Sequence, residues 1–400
     1  MRLFWQRSRR TGAGPLLLLL AALAGCRSGA PQFPANYREY AYVTNGGSNT
    51  VSVFDVVNVR VDRVLPVGSD PTGVAVSPTR NEVYVVNSGS NSVTVIDAEK
   101  KAPVATIRVS KKPYFITVSP DGPWGYVANS GANTVSVLDL FARRQVAVIG
   151  VGESPGLAKI SPDGRTLVVS NRAGGSASII DATVPPPQMR VRSVWSGCPG
   201  ATDIAILPDS SKAFVACSSG HQVMAIQLAP WSHATPGHRA ARTGSDALLA
   251  MLDTGKTPVS LALKPDGGEI YAVNYDSGSV SEIDTATNEV GGAYLIGTHP
   301  VRGIIAPDDS TLYVSDFDAG SLGIFSIDDG HLVGTARTGE GPDALAFSND
   351  SDLLFALDAH SGDVAVIRTS THSLLTLLPA GTQPNQIAIK AFLLQSHRRE

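Results

Sequence analysis

Few residues in this chain have the type and spacing that enzyme chemistry requires. The 400 residues contain no phosphate-binding P-loop, no Cys-x-x-Cys pair and no His-Glu-x-x-His metal motif. The eight histidines do not recur at a common interval, and the only cysteines are Cys26, Cys198 and Cys217. The sequence therefore predicts neither a metal site nor a bound cofactor, and it identifies no catalytic residues.

Composition indicates a folded chain with many turns. Hydrophobic residues make up 43% of the chain and charged residues 17%, and there are 39 Gly and 26 Pro. Lys and Arg number 32 against 35 Asp and Glu, which gives a formal net charge of −3. Because no basic surplus is present to bind phosphates, we expect no nucleic-acid partner.

The first 25 residues resemble a bacterial lipoprotein signal peptide. Four arginines precede an apolar run at 16–24, which is shorter than the about 20 residues that span a bilayer core. The run ends in Leu23-Ala24-Gly25-Cys26, which resembles the lipobox whose cysteine is lipidated and becomes the mature N-terminus. We expect a signal peptide at 1–25, lipidation of Cys26 and a flexible tether over 26–37.

Lipidation implies a location at the cell envelope. Arg27 follows Cys26 where retention in the inner membrane favours Asp, so the resemblance favours the outer membrane, on its periplasmic or its surface side. Removal of 1–25 takes away four Arg and no acid, and it leaves a formal charge of −7. An acidic body does not favour contact with anionic lipid, so we expect the lipid itself to hold the protein at the membrane.

A four-residue motif recurs along the rest of the chain. It begins at positions 42, 84, 126, 168, 214, 271, 313 and 355, with a step of 42 residues except around position 214. Well-formed copies are Tyr42-Val43-Thr44-Asn45, Tyr84-Val85-Val86-Asn87 and Tyr126-Val127-Ala128-Asn129. Over residues 39–390 the chain resembles the YVTN family of β-propeller repeats, which implies an all-β fold.

Each repeat has the content of one propeller blade. Four short runs alternate apolar and polar residues, and turn residues separate them. The first repeat lacks an inner strand and the chain finishes with an unpartnered one at 384–389, so we expect this strand to close the ring. The result is an eight-bladed propeller at 38–390 with a tail at 391–400. Seven blades, the more usual number for the family, is the alternative if 211–267 is irregular.

The repeated polar residues have a structural interpretation. Asn45, Asn87, Asn129, Asn171 and Asn274 each end a strand, where Asx side chains bond to nearby backbone and tolerate left-handed turns. A ring of repeated polar residues is therefore expected to build turns rather than to bind a ligand.

Loops that depart from the repeat form the candidate binding surface. The loops after the Tyr strand and before the inner strand share one face of a propeller, and the later repeats place aromatic and charged residues there. We expect a monomeric propeller that binds an envelope protein, peptide or glycan there. The candidate residues are Tyr114, Phe115, Arg172, His221, Tyr275, Asp276, His299, Arg302, Phe317, Asp318, Asp343 and His360.

Two cysteines and one insertion complete the set of unusual features. Cys198 precedes an inner strand and Cys217 ends the strand that pairs with it, so an oxidising envelope favours a disulfide between them. The alternative is that Cys217 merely replaces the turn Asn. The insertion at 230–246 carries Trp231 and is either a docking element or a loop that covers a sheet edge.

The alternative function is hydrolysis of the type that lactonase-like propellers perform. Such enzymes place polar residues in the mouth of the channel without a linear motif, so sequence does not exclude this activity. Arg302, His299 and Asp343 are the candidates for it.

Overall fold

A computed structural model describes residues 33–231 and 242–394 of the chain. The described residues form eight four-stranded antiparallel sheets, and successive sheets pack around a common centre as the blades of a propeller. The prediction of eight blades is confirmed, and the seven-bladed alternative is wrong. The signal peptide and Cys26 lie outside the described residues.

Blades 1 to 4 have the following strands. Blade 1 contains β1 (Tyr37–Asn45), β2 (Thr50–Asp55), β3 (Arg60–Pro66) and the C-terminal strand β32 (Pro384–Leu393). Blade 2 contains β4 (Pro71–Val76), β5 (Glu82–Asn87), β6 (Ser92–Asp97) and β7 (Ala102–Arg108). Blade 3 contains β8 (Pro113–Val118), β9 (Trp124–Asn129), β10 (Thr134–Asp139) and β11 (Arg144–Gly150). Blade 4 contains β12 (Pro155–Ile160), β13 (Thr166–Asn171), β14 (Ser176–Asp181) and β15 (Val191–Ser196).

Blades 5 to 8 follow the same order. Blade 5 contains β16 (Ala201–Ile206), β17 (Lys212–Cys217), β18 (Gln222–Gln227) and β19 (Ala247–Asp253). Blade 6 contains β20 (Pro258–Leu263), β21 (Glu269–Asn274), β22 (Ser279–Asp284) and β23 (Glu289–Leu295). Blade 7 contains β24 (Pro300–Ile305), β25 (Thr311–Asp316), β26 (Ser321–Ser326) and β27 (His331–Arg337). Blade 8 contains β28 (Pro342–Phe347), β29 (Leu353–Asp358), β30 (Asp363–Arg368) and β31 (Ser373–Pro379).

Helical structure in the described ranges is limited to three short 3-10 turns. They span Gly46–Ser48, Pro186–Gln188 and Ser218–Gly220. None of the helices that the structure describes is long and apolar enough to cross a membrane.

The hydrophobic core lies between the blades. The two middle strands of each blade are covered on both faces by neighbouring blades, so apolar residues are buried on both faces, and β5 is buried over its whole length. The outer strand of each blade pairs with only one other strand and lies at the edge of its sheet. Most residues of β7, the outer strand of blade 2, are therefore exposed or half-buried. Each fully buried Val or Ile side chain contributes about 1.5–3 kcal/mol of transfer free energy.

The C-terminal strand closes the ring as predicted. β32 pairs with β1 from Tyr37 opposite Leu393 to Asn45 opposite Pro384, so the first and the last described strands complete one sheet. β32 continues to Leu393, three residues beyond the end of the propeller that the sequence analysis expects. Glu39 also connects β1 to blade 8, because it accepts a hydrogen bond from the backbone N–H of Asn349 at 2.6 Å. It accepts another from the Tyr37 hydroxyl at 2.8 Å.

The repeated asparagines clamp blades 1 to 4 and blade 6, although not in the way the sequence predicts. Asn87 has extended-strand pairing, and its side-chain N–H group donates to Ser92 Oγ at 3.2 Å and Thr94 Oγ1 at 2.9 Å. The left-handed residue is Asn91, four positions later. Opposite the clamp lies Gly68, where a Cβ atom would come within 2.7 Å of Asn87 Cγ. The structural interpretation therefore holds, but the mechanism is a hydrogen bond to hydroxyls of the next strand.

In blade 5 a disulfide takes the place of this clamp. Cys217 occupies the position of Asn87, and Cys198 lies 19 residues before it, as Gly68 does before Asn87. The structure joins Cys198 and Cys217 through a disulfide, and both residues are fully buried. The acceptors have changed as well, because Gln222 and Met224 stand where blade 2 has its two hydroxyl residues. Two reactive thiols in the denatured mature protein would exclude the bond.

The described ends of the insertion at 230–246 pack against blade 4. Asp246 accepts hydrogen bonds from the Arg192 guanidinium at 3.0 and 2.8 Å and from the backbone N–H of Ala229 at 2.9 Å. Both charged side chains are almost completely buried. These contacts fit the interpretation as a cover for the outer strand, and residues 232–241 lie outside the described part of the chain.

Candidate functional site

The eight inner strands surround a channel, and a cavity of about 470 Å³ opens at one of its ends. We call this cavity the channel mouth. Its lining comes from every blade and consists of Thr72, Tyr114, Phe115, Leu157, Lys159, Arg172, Thr202, Asp203, Val259, Val301, Arg302, Asp343, Ala344, Leu345, Asn385 and Gln386. A cavity of this volume is within the range of small-molecule sites.

The channel mouth opens on the face that the sequence analysis selects. The first residue of an inner strand pairs with the last residue of the next strand, as in Pro300 opposite Asp316. The loops before the inner strands and after the second strands therefore meet at the same end of the channel. We call this end the channel face.

A buried carboxylate organises the charges of the mouth. Asp203 is 4% exposed and accepts hydrogen bonds from Lys159 Nζ at 2.9 Å and from the backbone N–H groups of Ile204 at 2.8 Å and Leu261 at 3.0 Å. Burial by itself would raise the pKa of Asp203, but the charges of Lys159 and Arg302 and these hydrogen bonds lower it below its usual range. These contacts favour the ionised form of Asp203, which ties Lys159 to blade 5.

The guanidinium groups of Arg172 and Arg302 in the mouth have weaker contacts than the Lys159 ammonium group. Nη1 of Arg302 lies 3.6 Å from Asp203, an ion pair that is too long for a hydrogen bond. The Arg172 guanidinium lies over the Tyr114 ring, 5.5 Å from its centroid. Within the described ranges neither guanidinium donates a hydrogen bond to another side chain or to the backbone.

The second carboxylate of the mouth, Asp343, is in a different environment. Burial raises the pKa of Asp343 above its usual range, and the nearby charge of Arg302 offsets only part of this effect. The environments of the two carboxylates thus shift their pKa values in opposite directions.

Five predicted residues come together in the mouth, namely Tyr114, Phe115, Arg172, Arg302 and Asp343. Sequence reasoning missed Asp203 and Lys159, the third and the fifth residue of their inner strands. A signal was present, since Asp203 holds the same position in its inner strand as Arg302, and Lys159 stands where most other inner strands have Ala.

The remaining predicted residues form a rim on the channel face, outside the cavity lining. Tyr275 and His299 stack with ring centroids 4.6 Å apart, and His299 Nδ1 lies 2.5 Å from Asp318 Oδ2. Phe317 and His360 pack edge to face at 4.8 Å. We call these residues, together with His221 and Asp276, the rim.

His221 and Asp276 connect to each other through the loop that precedes β20. His221 Nδ1 accepts a hydrogen bond from the backbone N–H of Thr257 at 3.0 Å, and the Thr257 hydroxyl donates to Asp276. The rim thus consists of aromatic and charged side chains that hold one another in place across blades 5 to 8.

The candidate hydrolytic residues are not gathered in one place. Arg302 and Asp343 line the mouth, whereas His299 lies in the rim against Tyr275 and Asp318. One Gly-x-Ser-x-Gly match occurs at 152–156, but Ser154 leads into strand β12 rather than a helix. Its positive φ of 49° is a feature that residues before most inner strands share.

No group of three or more His, Cys, Asp or Glu residues within 33–231 and 242–394 has an arrangement that could hold a metal ion. Metal-dependent chemistry therefore has no candidate ligand set in these ranges.

Comparison with known proteins gives one partial family match. A family model described as the cytochrome D1 heme domain, a family of eight-bladed propellers, matches residues 78–193. This is well under half of the chain, so family membership does not follow. No curated protein matches the sequence at a significant level.

Solved structures resemble the chain over most of its length. Dihydro-heme d1 dehydrogenase NirN in complex with DHE has a TM-score of 0.71 at 18% identity, over 90% of this chain and 76% of that chain. AztD from Citrobacter koseri has a TM-score of 0.67 at 13% identity, over 90% and 100%. Hydrazine synthase from Kuenenia stuttgartiensis has a TM-score of 0.55 at 23% identity, over 82% and 92%.

What these structures share with the chain is the propeller fold. Identities below 25% show nothing about function. The resemblance to YVTN repeats and to a lipoprotein signal peptide stays a prediction.

The channel mouth does not fit a haem held through its iron. Proteins hold haem iron with His, Cys, Met or Tyr. Among the described residues that line the mouth only Tyr114 is of these types, and its ring faces the Arg172 guanidinium. The lining of the mouth therefore offers no ligand set for the group that the partial family match names.

Proposed function

We propose that this protein is a lipid-anchored binding scaffold of the bacterial cell envelope, and that the channel face recognises a protein, peptide or glycan partner. The channel mouth carries the proposal. It combines a ligand-sized cavity with charged groups that the fold leaves accessible, and the rim extends this surface over blades 5 to 8.

The scaffold suits a binding role because it is rigid where the site lies. Every residue of the mouth except Arg172 belongs to an inner strand whose backbone is held by its sheet. Sites on strands are positioned more precisely than sites on loops, so little conformational entropy is lost when a partner binds.

The proposed anchor would direct the channel face away from the membrane. β1 runs from Tyr37 to Asn45, and Asn45 lies at the channel face, so the chain enters the propeller from the opposite face. Cys26 precedes Phe33 by seven residues, which span at most about 25 Å. A lipid on Cys26 would hold the opposite face near the bilayer and leave the mouth open to partners in solution.

Photo-crosslinking in intact cells tests the binding surface. A photoreactive phenylalanine analogue at Phe317 in the rim is expected to trap a partner. The same analogue at Phe141, which is 52% exposed in the turn between β10 and β11 away from the channel face, is the matched control and is expected to trap none. Equal labelling at the two positions, or no product at position 317, would contradict the proposal.

A second variant identifies the contribution of the site. Combined alanine substitution of Tyr275, Phe317 and Arg302 is expected to remove the species that co-purifies with the wild-type protein while leaving the melting temperature nearly unchanged. No observation favours the lactonase-like alternative, because His299 lies outside the cavity that Arg302 and Asp343 line. Lactone turnover by the purified protein would support that alternative instead.

A further inference from the structure

We propose that the channel mouth binds its ligand through a carboxylate, which pairs with the guanidinium groups of Arg172 and Arg302, while the apolar part of the ligand packs on the aliphatic wall. This inference rests on the proposed function, because it names the chemistry that the same mouth recognises. It does not depend on which macromolecule or metabolite carries the carboxylate.

The charged groups of the mouth fall into those that hold the fold together and those that face the ligand. Asp203 accepts hydrogen bonds from Lys159 and two backbone N–H groups and forms a longer ion pair with Arg302, and Lys159 also donates to the carbonyl oxygen of Ile204 at 2.5 Å. Lys159 and Asp203 thus find their hydrogen-bond partners in each other and in the backbone. Neither group needs a ligand.

The two arginines have donors to spare. A guanidinium carries five N–H donors, and within the described ranges no side-chain donor of Arg172 or Arg302 is used in a hydrogen bond. Both side chains line the same cavity, and the Arg302 side chain keeps about a third of its surface exposed. A planar guanidinium binds a carboxylate with two parallel hydrogen bonds, so these groups are suited to an anionic ligand.

The sign of the local charge supports the same ligand. The lining contains three cations, Lys159, Arg172 and Arg302, against two carboxylates, Asp203 and Asp343. The lining therefore carries a formal excess of one positive charge on a chain whose formal net charge is −3, which favours an anionic ligand.

The uncharged part of the lining defines the rest of the ligand. Leu157, Val259, Val301 and Leu345 contribute an aliphatic wall, and the Phe115 ring lies on the same lining. An apolar wall beside two guanidiniums favours an acid with an aromatic or aliphatic body over a small hydrophilic acid such as a dicarboxylate. The predicted class is therefore an aryl or alkyl carboxylate.

Calorimetric titration of the full mature chain in detergent tests this inference with three probes, 4-phenylbutyrate, its uncharged amide 4-phenylbutanamide, and 4-phenylbutyl phosphate. We expect the carboxylate to bind about tenfold or more tightly than the amide, since a charge-assisted pair is lost in the amide. Arg302→Gln and Arg172→Gln are each expected to weaken carboxylate binding by about tenfold and to leave amide binding unchanged.

Matched controls keep the result interpretable. Arg302→Gln leaves Asp203 with Lys159 and its backbone donors, so the fold is expected to persist, and the melting temperature verifies it. Arg144→Gln, at an exposed position at the start of the outer strand β11, is expected to leave the affinity unchanged.

Each outcome decides the question. Equal affinity for carboxylate and amide, or arginine variants that bind like the wild type, overturns the carboxylate assignment but leaves the crosslinking result at Phe317 untouched. Tighter binding of the phosphate than of the carboxylate replaces the assignment with a phosphate ligand. Absence of saturable binding by all three probes overturns it, whereas loss of the crosslink alone would count against the proposed function.

Discussion

Asp358 shows how one residue can depart from the repeat and change its chemistry. It occupies the clamp position of Asn87, but residues five and seven positions later are Asp363 and Ala365 instead of hydroxyl residues. Asp358 is fully buried, and neither carboxylate oxygen meets a hydrogen-bond partner within the described ranges. Burial and the neighbouring Asp363 raise the pKa of Asp358 to about 8.

We predict that Asp358→Asn stabilises the protein at alkaline pH. A free Asp titrates near 3.9, so the folded state keeps a proton that the unfolded state has released. The contribution of this group to stability is therefore fully present below about pH 4 and is lost as pH rises toward 8. The substitution should raise the free energy of unfolding at pH 8 by roughly 2–4 kcal/mol and have a smaller effect at pH 5, as urea unfolding would measure.

Asp316→Asn is the control for this prediction. Asp316 holds the clamp position of blade 7, but its two oxygens accept backbone N–H groups of Thr298 at 2.7 Å and His299 at 3.1 Å. An amide has only one acceptor oxygen, so one of these hydrogen bonds is lost. The free energy of unfolding of this variant should therefore fall by about 1 kcal/mol at both pH 5 and pH 8. A pH dependence that is the same in Asp358→Asn and the wild type would refute the assignment of the proton to Asp358.

At the scale of the element, β32 decides whether the ring closes. It is the inner strand of blade 1, and it pairs with β1 over the whole length of that strand. It also packs against the inner strands β4 and β28 of the two neighbouring blades. Without it, β1 would present an unpaired edge and two blades would lose part of their core contacts.

We predict that truncation after Gln383 prevents formation of a stable monomer. The exposed edge of β1 favours pairing with other chains, so size-exclusion chromatography should show aggregates, and the cooperative thermal transition should be lost. Truncation after Leu394 retains all of β32 and is expected to melt like the full chain. A monomeric, cooperatively folded Gln383 truncation would show that the remaining strands close the ring unaided.

At the scale of the whole molecule, the start of β1 and the end of β32 lie on the face opposite the channel mouth. The first residue of β1 pairs with Leu393 at one face, and the inner strands begin at the other. A tether at the N-terminus therefore sets which face meets solution. This arrangement links the proposed anchor at Cys26 to the proposed binding face without any direct contact between them.

We predict that Cys26 carries the lipid. Radiolabelled palmitate should label the wild-type protein, and Cys26→Ala should lose both the label and the membrane association. Cys198→Ser tests whether the label is specific, because this residue lies inside the propeller and its substitution should leave the label in place. Labelling that survives Cys26→Ala would contradict the anchor.

Particular residues show why part of the site could be predicted. Arg302 and Phe115 stand at inner-strand positions where the repeat breaks down, and the repeat itself places those positions around one channel. Lys159 and Asp203 were missed, because an ion pair between neighbouring blades depends on distances that a strand pattern does not contain. His299 was grouped with Arg302 in sequence, yet its contacts with Tyr275 and Asp318 keep it in the rim.

The 42-residue repeat and its incomplete first and last units determined the number of blades and the strand that closes the ring, because periodic burial and unpaired edges are properties of the local pattern. Only the tertiary structure decided that Asp203 neutralises Lys159 while Arg172 keeps unused donors, and that Asp358 meets Asp363 in a buried site. Those outcomes depend on distances between separate strands and on exclusion of water, and both arise only when the blades pack together.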